Sequence, residues 1–437
     1  MARQGAYAIL NLRKGVTDEQ IKDSYIKLVK RFDPERHTDR FMVIQNAYER
    51  LTDPVKRARE DVLAFNPVQG RFQFLDEEKV ETDEAALEKT IAQLESELEK
   101  GDGAEEKYDS LAKALMLLSA QAIRRRQFQR AIDAWERILQ IDPTHQRAKN
   151  NLIFARCSLA YSYAEHELFD EAIEMWVRAS QMNPDDDATV HNLALSCESA
   201  GRKDDAERYW AETLRRWKLT LDRTPDDEYM RNCILEVHRH HGGRAMEAGP
   251  AAAAAGESTA PASASAVKEY KEILKIAPDD YEAQYQIAVS QMEQHQWNEA
   301  VESLKTLIRK NPKSVEAMNL LGWALLNSGQ IDSAFMAWRQ SMIVDPKNLE
   351  TRDAIIRAHL DLGKRCRDQG QYSSALKHFK SLLKIVGPRN PEVHLEVGST
   401  YYLKGDKRAA FLEFQVVLQL DPKNQAARKM LQELRMR

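Results

Sequence analysis

The stretch LLGWALLNSGQIDSAFMAWRQSMIVDP, residues 320–346, decides the fold of this chain of 437 residues. Ala334 opens its second half, Trp338 follows four residues later, and Pro346 comes eight residues after the tryptophan. The first half, Leu320 to Gln330, is apolar and ends in residues suited to a turn. The stretch therefore predicts two helices joined by a short connection.

The same order of small residue, large apolar residue and proline recurs along the chain. The alanines that open it are Ala131, Ala172, Ala206, Ala266, Ala300, Ala334, Ala375 and Ala410. They are separated by 41, 34, 60, 34, 34, 41 and 35 residues, and 34 is the period of a tetratricopeptide repeat. The resemblance to tetratricopeptide repeats spans residues 111–437. It implies eight helical hairpins stacked into an all-α superhelical solenoid with a concave inner surface.

The irregular intervals predict where the array departs from its period. An interval of 41 residues adds seven to the period, which is two helical turns. We therefore expect long first helices in the second and seventh repeats, near residues 144–166 and 346–368. In the interval of 60, a longer helix runs up to Pro225, and the tract at 242–265 is rich in Ala, Gly, Ser and Pro. This tract predicts a flexible loop that divides the array.

The composition favours a helix-rich interaction protein and excludes several other classes. Hydrophobic residues make up 43% and charged residues 30%, with 17 glycines and 14 prolines. A net charge of -4 gives no overall field that would attract nucleic acid or anionic lipid. No run of 18 apolar residues or signal peptide is visible, so we expect a cytoplasmic protein without membrane insertion. The four cysteines are scattered, which predicts buried, reduced thiols.

The first 65 residues predict three further helices. Thr17 begins a capping box ahead of an amphipathic stretch at 20–32. A second helix is predicted at 39–51, packed against the first as an antiparallel hairpin. Pro54 then favours a short basic helix at 55–65, because proline is common where helices begin.

The segments AYAILNL, TDEQIKDSYIKLVKRF, NAYERLTDP and KRARED stand in the order that they have in a J-domain. The N-terminus thus resembles the module by which DnaJ-type cochaperones engage DnaK-type chaperones. It departs from the family where Asp33, Pro34 and Glu35 replace His-Pro-Asp, the tripeptide that triggers the chaperone's ATPase. Glu60 likewise replaces a tyrosine of the last helix.

The resemblance implies a docking surface on the J-like domain. A basic face carried by the first long helix would meet an acidic chaperone groove, although a solvated surface explains the same charges. The residues assigned to J-like docking are Lys22, Lys27, Lys30, Arg31, Asp33, Pro34 and Glu35.

The segment between these regions is acidic. Leu87, Ile91, Leu94 and Leu98 are spaced as one narrow apolar stripe, which predicts a helix lying on the first repeats or on the J-like domain, with an exposed helix as the alternative. The predicted domains are a J-like domain at 1–66, this helical connector at 67–110, repeats one to three at 111–225, repeat four with its loop at 226–280, and repeats five to eight with a capping helix at 281–437.

Inner-surface positions of the repeat family identify candidate partner-binding residues, for which packing within the repeats is the alternative. They are Tyr161, Tyr285, Asn319, Trp323, Lys364, Arg367 and Tyr402. A clamp for chaperone tails is not predicted, because Tyr161 and Leu195 stand where its asparagines are needed.

Other chemistry is weakly represented. Cys233, His238, His240 and His241 form one metal-like cluster that lacks an assigned fourth ligand. No catalytic triad, phosphate loop or HExxH motif is visible, so we predict no catalytic residue, no cofactor and no metal.

These observations predict a non-enzymatic scaffold that binds partner proteins of unknown identity through the repeats and docks a second protein through the J-like domain. One alternative is a true cochaperone that delivers clients to a DnaK-type chaperone. Another is an undetected enzyme. The order of domains, J-like first, resembles bacterial multidomain proteins, so we expect a bacterial source.

Overall fold

A computed structural model of the chain describes residues 5–32, 36–68, 70–74, 83–100, 105–254 and 260–436. All regular secondary structure in these ranges is α-helical, as predicted. No helix among them is long and apolar enough to cross a membrane. The chain forms two compact units, residues 1–237 and 238–437.

The first unit begins with four helices that form the J-like domain. They are α1 (Ala6–Ile9), α2 (Asp18–Arg31), α3 (Thr38–Thr52) and α4 (Pro54–Val62). The predicted capping box is present, since the Thr17 hydroxyl accepts from the Gln20 amide and the Gln20 side chain accepts from the Thr17 amide. Ile21, Ile44 and Leu51 are buried between the helices. The sequence did not predict α1, and it predicted the bounds of α2, α3 and α4 to within two residues with one exception.

That exception is the end of α4, which lies at Val62 rather than at the predicted residue 65. The chain leaves the helix here because Phe65 packs against the repeats instead. Glu60, the departure from the J-domain pattern, accepts a hydrogen bond from the Ala6 amide at 3.0 Å and pairs with Arg50. Its carboxylate therefore ties the start of the domain to its last helix.

The acidic connector forms α5 (Glu84–Glu99), which packs on the first repeat. Leu87 and Ile91 are buried, and Leu94 and Leu98 lie partly buried beside them. Glutamates on α5 pair with arginines of the first repeat at Glu84–Arg130, Glu88–Arg130 and Glu95–Arg137. Of the predicted alternatives, which included an exposed helix, the helix takes the position against the first repeat.

Three helical hairpins complete most of the first unit. Their helices are α6 (Glu105–Arg124), α7 (Phe128–Ile141), α8 (Gln146–Glu165), α9 (Phe169–Met182), α10 (Asp187–Ser199) and α11 (Lys203–Arg223). Trp135 and Trp176 are completely buried, and the alanine four residues before each has no exposed surface. The small residue lets the hairpin close tightly around the large one.

The fourth hairpin corrects one prediction. Its helices are α12 (Glu228–Ala254) and α13 (Ala260–Ile276), and the boundary between the two units falls inside α12. The flexible loop predicted at 242–265 is therefore wrong at 242–254 and 260–265, which are helical, and residues 255–259 lie outside the described residues. Alanine has the highest helix propensity, so the alanine-rich tract extends α12. Pro261 falls in the first turn of α13, where proline is tolerated.

The second unit continues with four hairpins and a last helix. They are formed by α14 (Tyr281–Glu293), α15 (Trp297–Lys310), α16 (Val315–Asn327), α17 (Ile331–Val344), α18 (Leu349–Asp368), α19 (Tyr372–Val386), α20 (Pro391–Lys404), α21 (Lys407–Leu420) and α22 (Gln425–Met436). Ala427 and Leu431 of α22 are buried on the eighth hairpin, as predicted for a capping helix.

Helix lengths confirm the interpretation of the irregular intervals. The first helices of repeats two and seven, α8 and α18, have 20 residues each, whereas α10, α14 and α16 have 13. The seven inserted residues are therefore absorbed as two extra helical turns, and the faces that meet neighbouring repeats keep their register.

A glycine lets two helices approach closely in the sixth repeat. A Cβ atom placed on Gly322 of α16 would lie 2.3 Å from the indole of Trp338 on α17. Trp338 is fully buried and donates to the Asn319 carbonyl oxygen at 3.2 Å. The indole cannot withdraw without breaking this bond, so the position requires glycine.

We expect Gly322→Ala to lower the free energy of unfolding by about 1–3 kcal/mol, the usual cost of overpacking a core. Thermal unfolding of the full chain measures the effect. Gly243→Ala is the matched control, because Gly243 is also helical and a methyl group added there would meet nothing within 4 Å. An equal loss in both variants would contradict the steric explanation.

Candidate peptide-binding site

The segment that leaves the J-like domain lies along the repeats of the first unit. Residues 65–68 and 70–74, here called the linker segment, form neither helix nor strand. Their partners lie on α8 and α10, the first helices of repeats two and three, and on α7 and α9. The inner face of these repeats thus holds an extended peptide that belongs to the same chain.

Two asparagines hold the backbone of the linker segment. Asn192 accepts from the Asn66 amide at 2.7 Å and donates to the Asn66 carbonyl at 3.0 Å. Asn151 does the same with Gln73, at 2.8 and 3.0 Å. Both asparagines are at most 2% exposed. Each buried amide is therefore satisfied by a peptide backbone, whatever side chain that residue carries.

Two phenylalanines of the linker segment occupy equivalent positions on the repeats. The Phe65 ring lies 5.7 Å from Trp176 and 6.5 Å from Phe169. The corresponding distances from Phe72 are 5.6 Å to Trp135 and 6.5 Å to Phe128. The interplanar angles also agree, at 24° and 32° against 22° and 33°. Phe72 gains an edge contact with Phe154 at 4.7 Å.

His191 joins the linker segment to the J-like domain. Its Nε2 lies 2.9 Å from the Val62 carbonyl oxygen and its Nδ1 lies 2.7 Å from the Asn66 side-chain nitrogen. The carbonyl can only accept, so Nε2 carries the proton and Nδ1 accepts from Asn66. Burial and then the nearby Lys14 charge lower the pKa of His191 to about 3. The ring is therefore neutral in the docked chain.

A buried carboxylate fixes α4 to the fourth repeat. Asp61 is 3% exposed and accepts from the Tyr7 hydroxyl at 2.6 Å and the Tyr229 hydroxyl at 2.7 Å. The Lys14 ammonium donates to the Asp61 carbonyl, and burial lowers the pKa of Lys14 to about 8. Because Tyr229 lies on α12, these bonds dock the J-like domain on the repeats.

The predicted partner-binding residues are not brought together as one site. In the first unit, Tyr161 lies beneath the Arg13 guanidinium at 5.7 Å, so it contributes to J-domain docking. In the second unit, Asn319 is 4% exposed and accepts from the Thr351 hydroxyl at 2.7 Å. The side-chain oxygen of Asn319 thus satisfies a buried hydroxyl, and the roles of Asn319 and Tyr161 in partner binding stay predictions.

Five predicted residues remain at least partly exposed in the second unit. Tyr285 stacks on Tyr281 at 6.2 Å, and Trp323 meets Trp338 edge to face at 5.3 Å. Lys364 and Arg367 both pair with Glu396. Tyr402 is half-buried against the last hairpin. Their role in partner binding stays a prediction.

The J-like docking residues divide into two groups. Lys22, Lys27, Lys30 and Arg31 are all exposed on α2, as a docking face requires. Asp33, Pro34 and Glu35 lie outside the described residues, so their part in docking stays a prediction.

The cysteines and histidines form no metal centre in the described part of the chain, where no three His, Cys, Asp or Glu side chains are arranged to hold an ion. His238 instead contacts Glu269 at 2.7 Å. Burial raises the pKa of the Cys233 thiol to about 12. Cys157, Cys197 and Cys233 are buried free thiols, as predicted, and Cys366 is partly buried.

Sequence reasoning missed the residues that hold the linker segment, although two signals were available. Asn151 and Asn192 each stand 16 residues after the core tryptophan of the preceding hairpin. Phe65-Asn66 and Phe72-Gln73 repeat a similar pair at an interval of seven. Each signal is weak alone, because only the fold brings the two pairs against the two asparagines.

Comparison with known families agrees with this architecture. The DnaJ domain family matches residues 5–61, and the tetratricopeptide repeat family matches residues 157–232, 285–343 and 360–425. The chain therefore carries a DnaJ domain followed by tetratricopeptide repeats.

Two curated relatives resemble the N-terminal domain of this chain. The chain is 38% identical over 72 residues to the chaperone protein DnaJ of Thermosipho melanesiensis, which is 15% of this chain and 19% of that protein. It is 39% identical over 67 residues to the chaperone protein DnaJ of Neisseria gonorrhoeae, covering 14% and 18%. The chain thus spans about a fifth of the length of these relatives.

Among solved structures, the MamA protein is 22% identical and covers 42% of this chain and 93% of its own, with a TM-score of 0.29. MamA from Desulfovibrio magneticus, residues 41 to the end, is 18% identical, covers 44% and 97%, and has a TM-score of 0.30. Similarity at this level assigns no function to the present chain.

The docking of the linker segment should depend on pH through His191. Its pKa in the docked chain is about 3, below the ordinary 6.5, so the released state binds a proton more readily between these values. Docking is therefore fully stable above about pH 6.5 and weakens as the pH falls, by at most about tenfold per pH unit.

Hydrogen exchange of residues 63–74 at about pH 7 and pH 5 measures this, expressed relative to the intrinsic rate at each pH. Protection should fall at the lower pH in the wild type. In His191→Gln, which keeps a donor for the Val62 carbonyl but does not titrate, the fall should be much smaller. The same fall in both chains would rule out His191 as its cause.

Proposed function

We propose that the chain is a non-enzymatic adaptor that binds partner proteins through the concave surface of its repeats and a second protein through its DnaJ domain. The observation that carries the proposal is the inner face of repeats one to three, which holds an extended peptide by its backbone and by two aromatic side chains. A surface with these features is suited to segments of other proteins.

The second unit offers a separate surface for partners. Trp323 and Tyr285 are partly exposed aromatic residues on the first helices of neighbouring hairpins, and Lys364 and Arg367 provide charge. Aromatic and arginine side chains are the commonest anchors of protein interfaces. The exposed aromatic residues support recognition of a partner that brings apolar groups, while Lys364 and Arg367 already have carboxylate partners.

We expect the double variant Tyr285→Ala, Trp323→Ala to lose a partner that the wild-type chain retains in pull-down from the source lysate. Loss of one anchor worth about 2 kcal/mol weakens binding roughly thirtyfold. Met336→Ala is the control, because Met336 is 61% exposed in the same repeat as Trp323. Identical sets of retained proteins for all three chains would count against binding at this surface.

The cochaperone function is the second candidate, and the exposed basic face of α2 favours it. Lys22, Lys27 and Lys30 make no ion pair within the described residues, so their charges are available to an acidic partner. Asp33-Pro34-Glu35 in place of the family's tripeptide argues for docking with little stimulation of ATP hydrolysis.

Charge reversal separates the two candidates. If the chain is a cochaperone, Lys22→Glu, Lys27→Glu, Lys30→Glu should abolish its stimulation of a cognate DnaK-type ATPase and its capture of that chaperone. Lys56→Glu is the control, since Lys56 is an exposed lysine on α4 rather than on α2. A wild-type chain that neither binds the chaperone nor raises its ATPase rate would leave only the adaptor role.

A further inference from the structure

The two subsites on the inner face of the first unit form one periodic recognition surface. Each subsite consists of a core tryptophan and a phenylalanine from the second helix of one repeat, and an asparagine from the first helix of the next. Trp135 and Trp176, Phe128 and Phe169, and Asn151 and Asn192 are all 41 residues apart. Repetition of the fold therefore repeats the subsite.

The occupant repeats with a matching step. Phe72 follows Phe65 by seven residues, and Gln73 follows Asn66 by seven. Seven extended residues span about 23 Å, and two packed helices at 8–10 Å each advance a repeat array by about 16–20 Å. One repeat of the array thus advances by nearly the distance between successive aromatic residues of a ligand with this spacing.

The occupant has the character of a replaceable ligand. It contributes no secondary structure, and its Arg71 and Gln73 side chains are exposed. Phe65 and Phe72 are only partly buried, whereas the Trp135 and Trp176 rings beneath them are completely covered. The repeats therefore supply the buried side of each aromatic contact, and the linker segment supplies the partly exposed side.

We propose that this groove is a recognition site for an extended peptide with two phenylalanines seven residues apart, and that the linker segment occupies it as an internal competitor. This inference rests on the proposed adaptor function and names the ligand of one of its surfaces. The residue after each phenylalanine needs an amide hydrogen for its asparagine, so proline is excluded there. His191 favours Asn or Gln after the first phenylalanine, since it accepts from that side chain.

Covalent attachment gives the linker segment an advantage over a free peptide. A short tether presents it to the groove at an effective concentration in the millimolar range. A partner with equal contacts therefore binds poorly unless it also engages another part of the chain. The groove would open to a partner that binds at two places and stay closed to isolated peptides.

The test uses the full chain with Phe65→Ala and Phe72→Ala, which empties both aromatic subsites. The probe is a fluorescent peptide of residues 63–74, LAFNPVQGRFQF, and fluorescence anisotropy measures its affinity. We expect saturable binding to this variant and binding roughly tenfold or more weaker to the wild type. Adding Asn151→Ala and Asn192→Ala to the variant should remove binding.

Matched controls separate sequence-specific recognition of the probe from nonspecific hydrophobic binding. Arg71→Ala in the probe should leave its affinity unchanged, because Arg71 is exposed. The probe with Phe65 and Phe72 changed to alanine should not bind, nor should the probe with proline at position 66. Failure of the emptied chain to bind the probe would overturn the groove as a peptide site. Equal affinity for wild type would overturn internal competition.

A second measurement decides the matter if the emptied chain folds poorly. Excess unlabelled peptide added to the wild-type chain should speed hydrogen exchange of residues 63–74, and the alanine-substituted peptide should not. Unchanged exchange under saturating peptide would refute displacement. Because the pull-down of Tyr285 and Trp323 variants addresses the other unit, failure of the adaptor proposal there would leave this result standing, and the reverse also holds.

Discussion

A helical hairpin of this chain cannot cover its own apolar face, and every larger feature follows from that constraint. Trp135, Trp176 and Trp338 have no exposed surface, and buried residues of the following hairpin belong to the same core cluster in each case. The array therefore needs a cover at each end, and α5 and α22 supply it. On the inner face of the first unit, the linker segment covers two of these tryptophans in the same way.

This constraint also explains why binding chemistry and fold are closely joined here. The tryptophans that close the hairpins form the floor of the aromatic subsites, so a single residue serves both purposes. What distinguishes the subsites from the rest of the array is the pair of asparagines, Asn151 and Asn192, on the following helices. At the corresponding position, 16 residues after the core residue, later hairpins carry Leu320, Ala354 and Leu395, which cannot hold a backbone, and Gln286, whose amide donates to Glu282 instead.

The sequence predicted what depends on local periodicity, and little of what depends on distant contacts. Gly322 and Trp338 occupy positions that are repeated at regular intervals in other hairpins. The hairpins, the long helices α8 and α18, and the capping helix were therefore predictable. The tract at 242–265 was misjudged because composition suggested a loop where alanine propensity extends a helix. The contact of Asn66 with Asn192 joins residues that are 126 apart in the sequence. Asn192 binds the backbone of residue 66, so the residue type at that position does not reveal the contact.

The bonds of Asp61 with Tyr229, and of Val62 with His191, hold the DnaJ domain immediately ahead of the linker segment. Two ligands that act on opposite ends of one continuous segment must influence each other by the same factor in free energy. A protein that draws the DnaJ domain away would raise the affinity of the groove, and a peptide in the groove would free the domain equally. The chain would then work as a reciprocal switch with two inputs, in which neither site is only a sensor or only a response.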